Sequence, residues 1–171
     1  KHRLTSPIPP LGQVIADLAD LRQWLMWQYE EGETPEKKPR KMPYYANGKR
    51  RTGTQGAPAD RAALADYARV AEAAKAGGFD GVGFAFLPDD GLIGIDLDGM
   101  IDPQSGDISD RCVAIIDACA SYTEYSPSGK GVHIIVRGKT KTFKSNAIGV
   151  EVFAGRQYFT FTGRAWPGSP A

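Results

Sequence analysis

Two aspartates stand close together in an otherwise aliphatic stretch, LIGIDLDGM, at residues 92–100. The alternation predicts a strand whose aliphatic side chains share one face, while Gly94, Asp96 and Asp98 share the other. At about 3.3 Å of rise per residue the two aspartate Cα atoms lie about 6.5 Å apart, so their carboxylates can share divalent cations. Gly94 would leave this face open to a ligand or another backbone. The alternative is a solvated strand face followed by an Asp-Gly turn.

A third acidic side chain and an arginine occur together in GVEVFAGRQYF. Glu151 interrupts an aliphatic strand as the aspartates do, which makes it a candidate third carboxylate. Three carboxylates and substrate phosphates supply the hard oxygen ligands that two Mg²⁺ or Mn²⁺ ions require. Arg156 offers a fork of donors to a triphosphate, and the alternative is an exposed guanidinium.

The segment SPSGKGVHIIV combines a glycine-flanked turn with a histidine. In such a turn, backbone N–H groups can face phosphate oxygens, and Ser128 and Lys130 add side-chain donors. His133 follows on the next strand, where alternation separates its imidazole from the adjacent aliphatic side chains. The pattern predicts a phosphate-binding site, and the alternative for the histidine is a structural role.

Basic side chains crowd into residues 37–51, although the formal net charge of +1 argues against a generally basic nucleic-acid coat. A local cluster of this kind can grip the backbone of a polyanion such as DNA. The alternative is a solvated basic loop. The candidate DNA-binding residues are Lys38, Arg40, Lys41, Arg50 and Arg51.

Length and composition predict a single domain over residues 1–171, with 42% hydrophobic and 24% charged residues. No apolar run approaches the roughly 20 residues of a membrane span. From the missing initial methionine and the Pro-rich end we expect a piece of a longer protein or a processed chain. Cys112 and Cys119 lie on one stripe of a predicted helix, too far apart for a disulfide, which favours a reducing cytoplasm.

The elements before the acidic strand follow from apolar spacing and turn residues. LGQVIADLADL predicts a helix over 11–21 with one buried face. QWLMWQYE predicts a strand, with Trp24 and Trp27 in the core rather than stacked on bases. The Asn47–Gly48 dipeptide then predicts a tight hairpin turn.

The remaining elements complete an α+β pattern. Asp60 is a candidate N-cap of one helix that continues to glycines 77–78. GVGFAFLP and LIGIDLD predict two strands of a hairpin joined by a four-residue turn. Strands in YTEYS, VHIIVRG, VEVF and QYFTFTG follow the cysteine helix. The sequence therefore predicts a mainly antiparallel sheet backed by helices.

The order of IDLD, SPSGKGVHI and VEVF with GRQYFTFTG resembles the archaeo-eukaryotic primase superfamily, in particular the primase-polymerases of phages, plasmids and prophages. The resemblance extends through WLMWQYE, KKPRKMPY and YTEYSPSG and so covers most of the chain. It implies that Asp96, Asp98 and Glu151 bind the two catalytic Mg²⁺ or Mn²⁺ ions. The residues implied in nucleotide binding are Ser126, Ser128, Gly129, Lys130, His133 and Arg156, with the serine that contacts phosphate left open between the two.

The resemblance also implies an RRM-like catalytic half with a mainly antiparallel sheet beside a smaller α/β half, and a catalytic cleft between them. The implied activity is template-directed nucleotidyl transfer, as a DNA primase, a DNA polymerase or both, in which a 3′-hydroxyl attacks the α-phosphate of a nucleoside triphosphate. Single-stranded or primed DNA and nucleoside triphosphates would be the partners. In this family a helicase often follows in the same polypeptide.

Two other functions account for part of the pattern. A non-catalytic RRM-type module for single-stranded nucleic acid would explain the aromatic residues. However, three carboxylates on one surface would repel a phosphate backbone unless metals intervene. A metal-dependent nuclease would use the same acids, whereas a relaxase is disfavoured because His133 lacks a partner histidine on its strand.

Overall fold

The computed structural model describes residues 8–32, 34 and 37–170. The strands are β1 (Trp24–Glu30), β2 (Arg40–Tyr44), β3 (Gly81–Ala85), β4 (Leu92–Leu97), β5 (Thr123–Tyr125), β6 (Val132–Arg137), β7 (Phe143–Ser145), β8 (Val150–Ala154) and β9 (Tyr158–Phe161). The helices, after a 3₁₀ turn at Leu11–Gln13, are α1 (Ala16–Ala19), α2 (Pro58–Ala63), α3 (Tyr67–Gly77) and α4 (Asp110–Cys119). In this part of the chain, every helix is too short or too polar to cross a membrane.

The strands form two sheets. The first sheet has the order β2-β1-β3-β9 and the second has the order β5-β6-β4-β8-β7. The pairings within both sheets are antiparallel. The predicted α+β class is confirmed, but two antiparallel sheets replace the one expected sheet.

Aromatic side chains fill the main core, which joins the two sheets. Trp24 packs edge-on against Phe84 and Phe161, with ring centroids 5.2 and 5.0 Å apart. Phe153 of the second sheet packs edge-on against Phe159 of the first at 5.0 Å. Rings of this size bury a large apolar area, so this core holds the sheets together. The core location predicted for Trp24 is confirmed.

The other face of the second sheet packs against α4. Leu97 and Ile134 from the sheet form a cluster with Cys112 and Ile116 from the helix. The Ser109 hydroxyl caps this helix by accepting a hydrogen bond from the backbone N–H of Cys112. The predicted cysteine helix is therefore confirmed, and both cysteines are free thiols.

The helices predicted near the start of the chain are shorter than expected. The helix predicted over 11–21 is interrupted because Val14 and Ile15 adopt extended ψ angles of 137° and 122°. The helix predicted to begin at Asp60 divides into α2 and α3, and Asp66 caps the second of these by accepting from the backbone N–H of Arg69. Asp60 itself lies inside α2, where its buried side chain bonds Arg51.

The predicted hairpin of β3 and β4 does not form, because the two strands lie in different sheets. Asp90 holds the chain between them. Its carboxylate accepts hydrogen bonds from the backbone N–H groups of Leu87 and Leu92 and from the side-chain amide of Gln23. These bonds direct the chain out of the first sheet, so that β4 becomes the central strand of the second.

Candidate active site

Five polar side chains form one row across the whole second sheet. The register pairs Glu124 of β5 with His133 of β6, and His133 with Asp96 of β4. On the other side, Asp96 pairs with Glu151 of β8, and Glu151 with Lys144 of β7. Directly opposed residues of antiparallel strands place their side chains on the same face. This charged row therefore brings Asp96, Glu151 and His133 together, although they are far apart in sequence.

The charged row lies on the face of the second sheet that meets the first sheet. Gly94 shares this face, and a Cβ atom at Gly94 would lie 2.5 Å from Phe86 and 2.6 Å from Phe159. The expectation that Gly94 admits a ligand is wrong, because these two rings from the first sheet fill the space. The glycine allows the sheets to pack closely beside Asp96.

Asp98 lies one residue beyond the end of β4 and is exposed. Its backbone N–H donates to the carbonyl of Gly149 at 2.8 Å. Gly149 has a φ of +66°, and a Cβ atom there would lie 2.3 Å from the Asp98 carbonyl oxygen. Only glycine can adopt this approach without strain, so it fixes the backbone between Asp98 and the strand that carries Glu151.

The charges of Asp98 and Glu151 act on the carboxyl group of Asp96. Burial raises the pKa of the Asp96 carboxyl above its usual value. The His133 imidazole opposes this rise in pKa, whereas the carboxylates of Asp98 and Glu151 add to it. The three carboxylates therefore lie close enough to repel one another when they are charged. A bound cation would relieve this repulsion.

The residue types therefore fit a site for Mg²⁺ or Mn²⁺, which prefer carboxylate oxygens. Across the described ranges, however, no group of three or more His, Cys, Asp or Glu side chains is already gathered to hold a metal ion. Glu151 is instead paired with Lys144, whose Nζ lies 2.9 Å from Glu151 Oε2. Glu151 would have to release this ammonium group to join Asp96 around a cation.

His133 is held at the inner part of the charged row. Its side chain is 7% exposed, and its ring stacks on Phe159 with centroids 4.5 Å apart and planes 13° apart. Nε2 lies 3.7 Å from Asp96 Oδ1, and Nδ1 lies 3.5 Å from Glu124 Oε1. The imidazole therefore stands between two carboxylates rather than among apolar side chains alone.

Glu124 is a member of the row that the sequence interpretation missed. It is 1% exposed, and its carboxylate accepts hydrogen bonds from the backbone N–H groups of Thr162 and Gly163 and from the Tyr122 hydroxyl. The signal was present, because Glu124 interrupts the strand YTEYS in the same way that Glu151 interrupts VEVF.

The glycine-flanked turn lies immediately before β6, as predicted. The backbone N–H of Gly129 donates to the Ser126 carbonyl at 2.9 Å, and the backbone N–H of Lys130 donates to Ser128 Oγ at 3.2 Å. Ser128 and Lys130 are exposed, whereas Ser126 is 7% exposed. The exposed side chains of the turn remain accessible to an anion.

Arg156 lies at the opposite end of the row from the turn. It is exposed, and it lines a cavity of about 620 Å³ together with Lys144 and Glu151. The loop residue Gln55 forms another wall, and its side-chain oxygen accepts from the backbone N–H of Gln157 at 2.6 Å. A cavity with two cations beside a carboxylate has the charge to receive a phosphorylated ligand together with a metal ion.

The candidate DNA-binding residues differ in exposure: three are exposed, Arg51 is buried and Lys41 is partly buried. Lys38, Arg40 and Arg50 are exposed, and Arg50 lies 3.2 Å from Glu30. Arg51 is instead 6% exposed, because its guanidinium makes two 2.7 Å hydrogen bonds to Asp60. The expectation that Arg51 contacts DNA is therefore wrong.

Lys41 is partly buried and faces the acidic residues rather than open solvent. Its Nζ lies 5.7 Å from the centre of the Trp27 ring. Burial lowers the pKa of the Lys41 ammonium, while the carboxylates of Asp96 and Asp98 oppose the change. Lys41 thus brings a cation from the first sheet toward the acids of the second.

Comparison with known proteins shows a similarity to a phage protein. No family model matches the chain. The chain is 29% identical over 160 residues, or 90% of its length, to a protein named DNA primase-polymerase from Nitratiruptor phage NrS-1. It spans only 21% of the length of that relative. This similarity confirms the resemblance to the primase-polymerases of phages that the ordered motifs indicate.

Proposed function

We propose that residues 1–171 form the catalytic domain of a template-directed nucleotidyltransferase that acts as a DNA primase, a DNA polymerase or both. The main observation is the strand register that sets Asp96 beside Glu151, with Asp98 two residues further along the chain, just past the end of β4. The name of the phage relative supports the same class of reaction, although the chain matches only part of that protein.

Asp96, Asp98 and Glu151 are proposed to hold two Mg²⁺ or Mn²⁺ ions. Such ions lower the pKa of a 3′-hydroxyl and neutralise charge that develops on the reacting phosphate. Because the carboxylates act as ligands, they need not transfer protons themselves. Partial burial of Asp96 also limits access of water, which strengthens the electrostatic interactions of the site.

The groups at the two ends of the acidic site are proposed to orient the triphosphate. Ser128 and Lys130 are exposed on the turn before β6 and offer hydroxyl, ammonium and backbone donors. His133 lies on β6 with its Nε2 3.7 Å from Asp96, and Arg156 lines the cavity beside Glu151. Of the two serines, the exposed Ser128 fits a phosphate contact better than the buried Ser126.

The cleft between the two sheets is the proposed place of reaction, with the second sheet as the RRM-like catalytic half. The exposed Lys38, Arg40 and Arg50 are proposed to contact the phosphates of a single-stranded or primed template. A helicase domain in the same parent polypeptide is part of this proposal, as the family resemblance implies.

A non-catalytic RRM-type module fits the structure less well. Such modules bind bases on aromatic side chains that are exposed on the sheet surface. Here Phe86, Phe153 and Phe159 are buried between the sheets. Trp24 and Trp27 are fully buried as well. The aromatic residues therefore serve the core and leave little stacking surface.

The proposal is tested by incubating the chain with a single-stranded template, labelled deoxyribonucleotides or ribonucleotides, and Mn²⁺, with and without a primer. We expect labelled products that depend on the template and disappear in Asp96→Asn. The matched control is Asp117→Asn, which removes an exposed carboxylate on α4. Shortening of a labelled primer without any extension would instead identify a nuclease. Template binding with neither reaction would favour the non-catalytic module.

A further inference from the structure

Glu124 is a buried carboxylate that the proposed metal ligands do not account for. Three donors converge on its Oε2 atom: the Gly163 N–H at 2.8 Å, the Tyr122 hydroxyl at 2.9 Å and the Thr162 N–H at 3.2 Å. The Thr162 N–H also reaches Oε1, at 3.0 Å. These bonds hold the carboxylate rigidly, with Oε1 directed toward β6.

The group that faces Oε1 across the strands is the imidazole of His133. Its Nδ1 atom lies 3.5 Å from Oε1, and it is buried without a formed hydrogen bond among the residues that the structure describes. Stacking on Phe159 fixes the plane of the ring. A buried N–H needs an acceptor, and the Glu124 carboxylate is the acceptor within reach.

We infer that Glu124 is a positioning residue for His133. Its Oε1 receives the hydrogen on Nδ1, so that Nε2 is presented on the side of Asp96 and the proposed nucleotide site. This pairing sets both the tautomer and the orientation of a ring that would otherwise rotate or exchange its proton between nitrogens. The importance of that orientation for catalysis rests on the proposed function, whereas the tautomer itself does not.

The different partners of the two carboxylate oxygens make Glu124→Gln a sharp test. Because three donors meet at Oε2, the amide oxygen of the variant should occupy that place. The amide NH₂ group then faces Nδ1 and requires it to accept a hydrogen bond. The variant should therefore move the ring hydrogen from Nδ1 to Nε2 and keep the bonds that Gly163 and Thr162 donate at the Oε2 position, whereas the Thr162 bond to Oε1 is lost.

The measurement is long-range ¹H–¹⁵N correlation spectroscopy of the histidine ring, at a pH where the ring is neutral. The chain has two histidines, so a His2→Gln background leaves the signals of His133 alone. We expect a hydrogen on Nδ1 in the parent protein and on Nε2 in Glu124→Gln. The control, Tyr122→Phe, removes a donor to Oε2 and should leave the hydrogen on Nδ1. A parent ring protonated on Nε2, or an unchanged ring in Glu124→Gln, would overturn the inference.

Kinetics of nucleotide addition supply the second readout. A carboxylate that holds a functional histidine through its other ring nitrogen typically contributes about 10- to 100-fold, so Glu124→Gln should lower kcat by that factor with little change in KM for the nucleotide. Tyr122→Phe should lose stability but keep kcat in its folded fraction. A reversed tautomer with unchanged kcat would overturn the positioning role. If the parent protein transfers no nucleotide, the proposed function fails, and the spectra alone then decide the link between Glu124 and His133.

Discussion

Two carboxylates in the described part of the chain, those of Asp60 and Asp96, differ in how completely their hydrogen bonds are made. Beneath the first sheet, Arg51 and Asp60 form two 2.7 Å bonds, and each side chain is 1% exposed. Asp60 also accepts from the Gly56 N–H and the Tyr45 hydroxyl, both at 2.7 Å. In the charged row, His133 lies 3.7 Å from Asp96, which is beyond hydrogen-bond distance.

The pKa is lowered for Asp60 and raised for Asp96. Burial alone would raise the pKa of Asp60, but its bonds to Arg51, Gly56 and Tyr45 outweigh that effect and hold the pKa below its usual value. For Asp96 burial raises the pKa, and the acidic neighbours add to the rise. A carboxylate whose bonds are complete stabilises the fold, whereas one left with open lone pairs is available to a ligand.

Asp96→Asn should have the largest effect on activity and little effect on the fold. Losing a metal ligand should reduce nucleotide addition at least about a thousandfold, or about 4 kcal/mol of activation free energy. Because the folded state disfavours the charged form of Asp96, the variant should be as stable as the parent protein or more so. Primer extension and urea denaturation measure the two quantities.

Full activity in Asp96→Asn would contradict the assignment of Asp96 as a metal ligand and would show that the charged row is structural. A large loss of stability in Asp96→Asn would contradict the prediction that the Asp96 carboxylate does not stabilise the fold. Asp117→Asn, which changes an exposed carboxylate of α4, provides the baseline for both measurements.

Asp60→Asn should lower the stability of the fold and leave the activity of the folded protein unchanged. It leaves the Arg51 guanidinium buried without its counter-charge, which typically costs about 3–5 kcal/mol of unfolding free energy. The folded fraction should retain the nucleotide-addition activity of the parent protein, because Arg51 and Asp60 lie outside the charged row. Urea denaturation at neutral pH measures the loss, and a change below about 1 kcal/mol would show that the pair contributes no more than a surface ion pair.

The same pair predicts a pH dependence of stability. The pKa of Asp60 in the folded protein lies below its usual value of 3.8. The stabilisation is therefore complete well above that pH and is lost as the pH falls through the folded-state pKa. The difference in unfolding free energy between the parent protein and Asp60→Asn should shrink in acid. A difference that stays constant down to pH values below 3.8 would assign it to packing rather than charge.

The acidic site could be predicted from sequence because strand alternation is local. An acid between aliphatic residues marks the polar face of a strand whatever sheet the strand joins, so Asp96 and Glu151 needed no knowledge of the topology. The same rule applied to YTEYS would have identified Glu124. The register that sets these residues side by side depends on pairings between distant segments and could not be read from spacing.

The predicted elements that the structure contradicts lie where a side chain forms hydrogen bonds with residues distant in sequence. Asp60 has the composition of an N-cap but is held by Arg51, and Asp90 turns the chain into a second sheet where a hairpin turn was expected. Arg51 belongs by sequence to a basic cluster, yet it is buried. Lys144 was missed because FKS is too short and too polar to indicate a strand.

The smallest expected effect concerns Lys144, whose 2.9 Å ion pair with Glu151 is the one hydrogen-bonded ion pair among the described residues of the charged row. The ammonium is largely exposed, so the pair contributes about 0.2–1 kcal/mol. If Glu151 is a metal ligand, Lys144 competes with the cation, and Lys144→Met should tighten Mn²⁺ binding by up to about fivefold. The increase of the unfolding midpoint with added Mn²⁺ measures this affinity. Lys139→Met removes the same charge from an exposed position nearby, so an equal effect in the two variants would indicate net charge alone. Weaker Mn²⁺ binding in Lys144→Met would argue against Glu151 as a ligand.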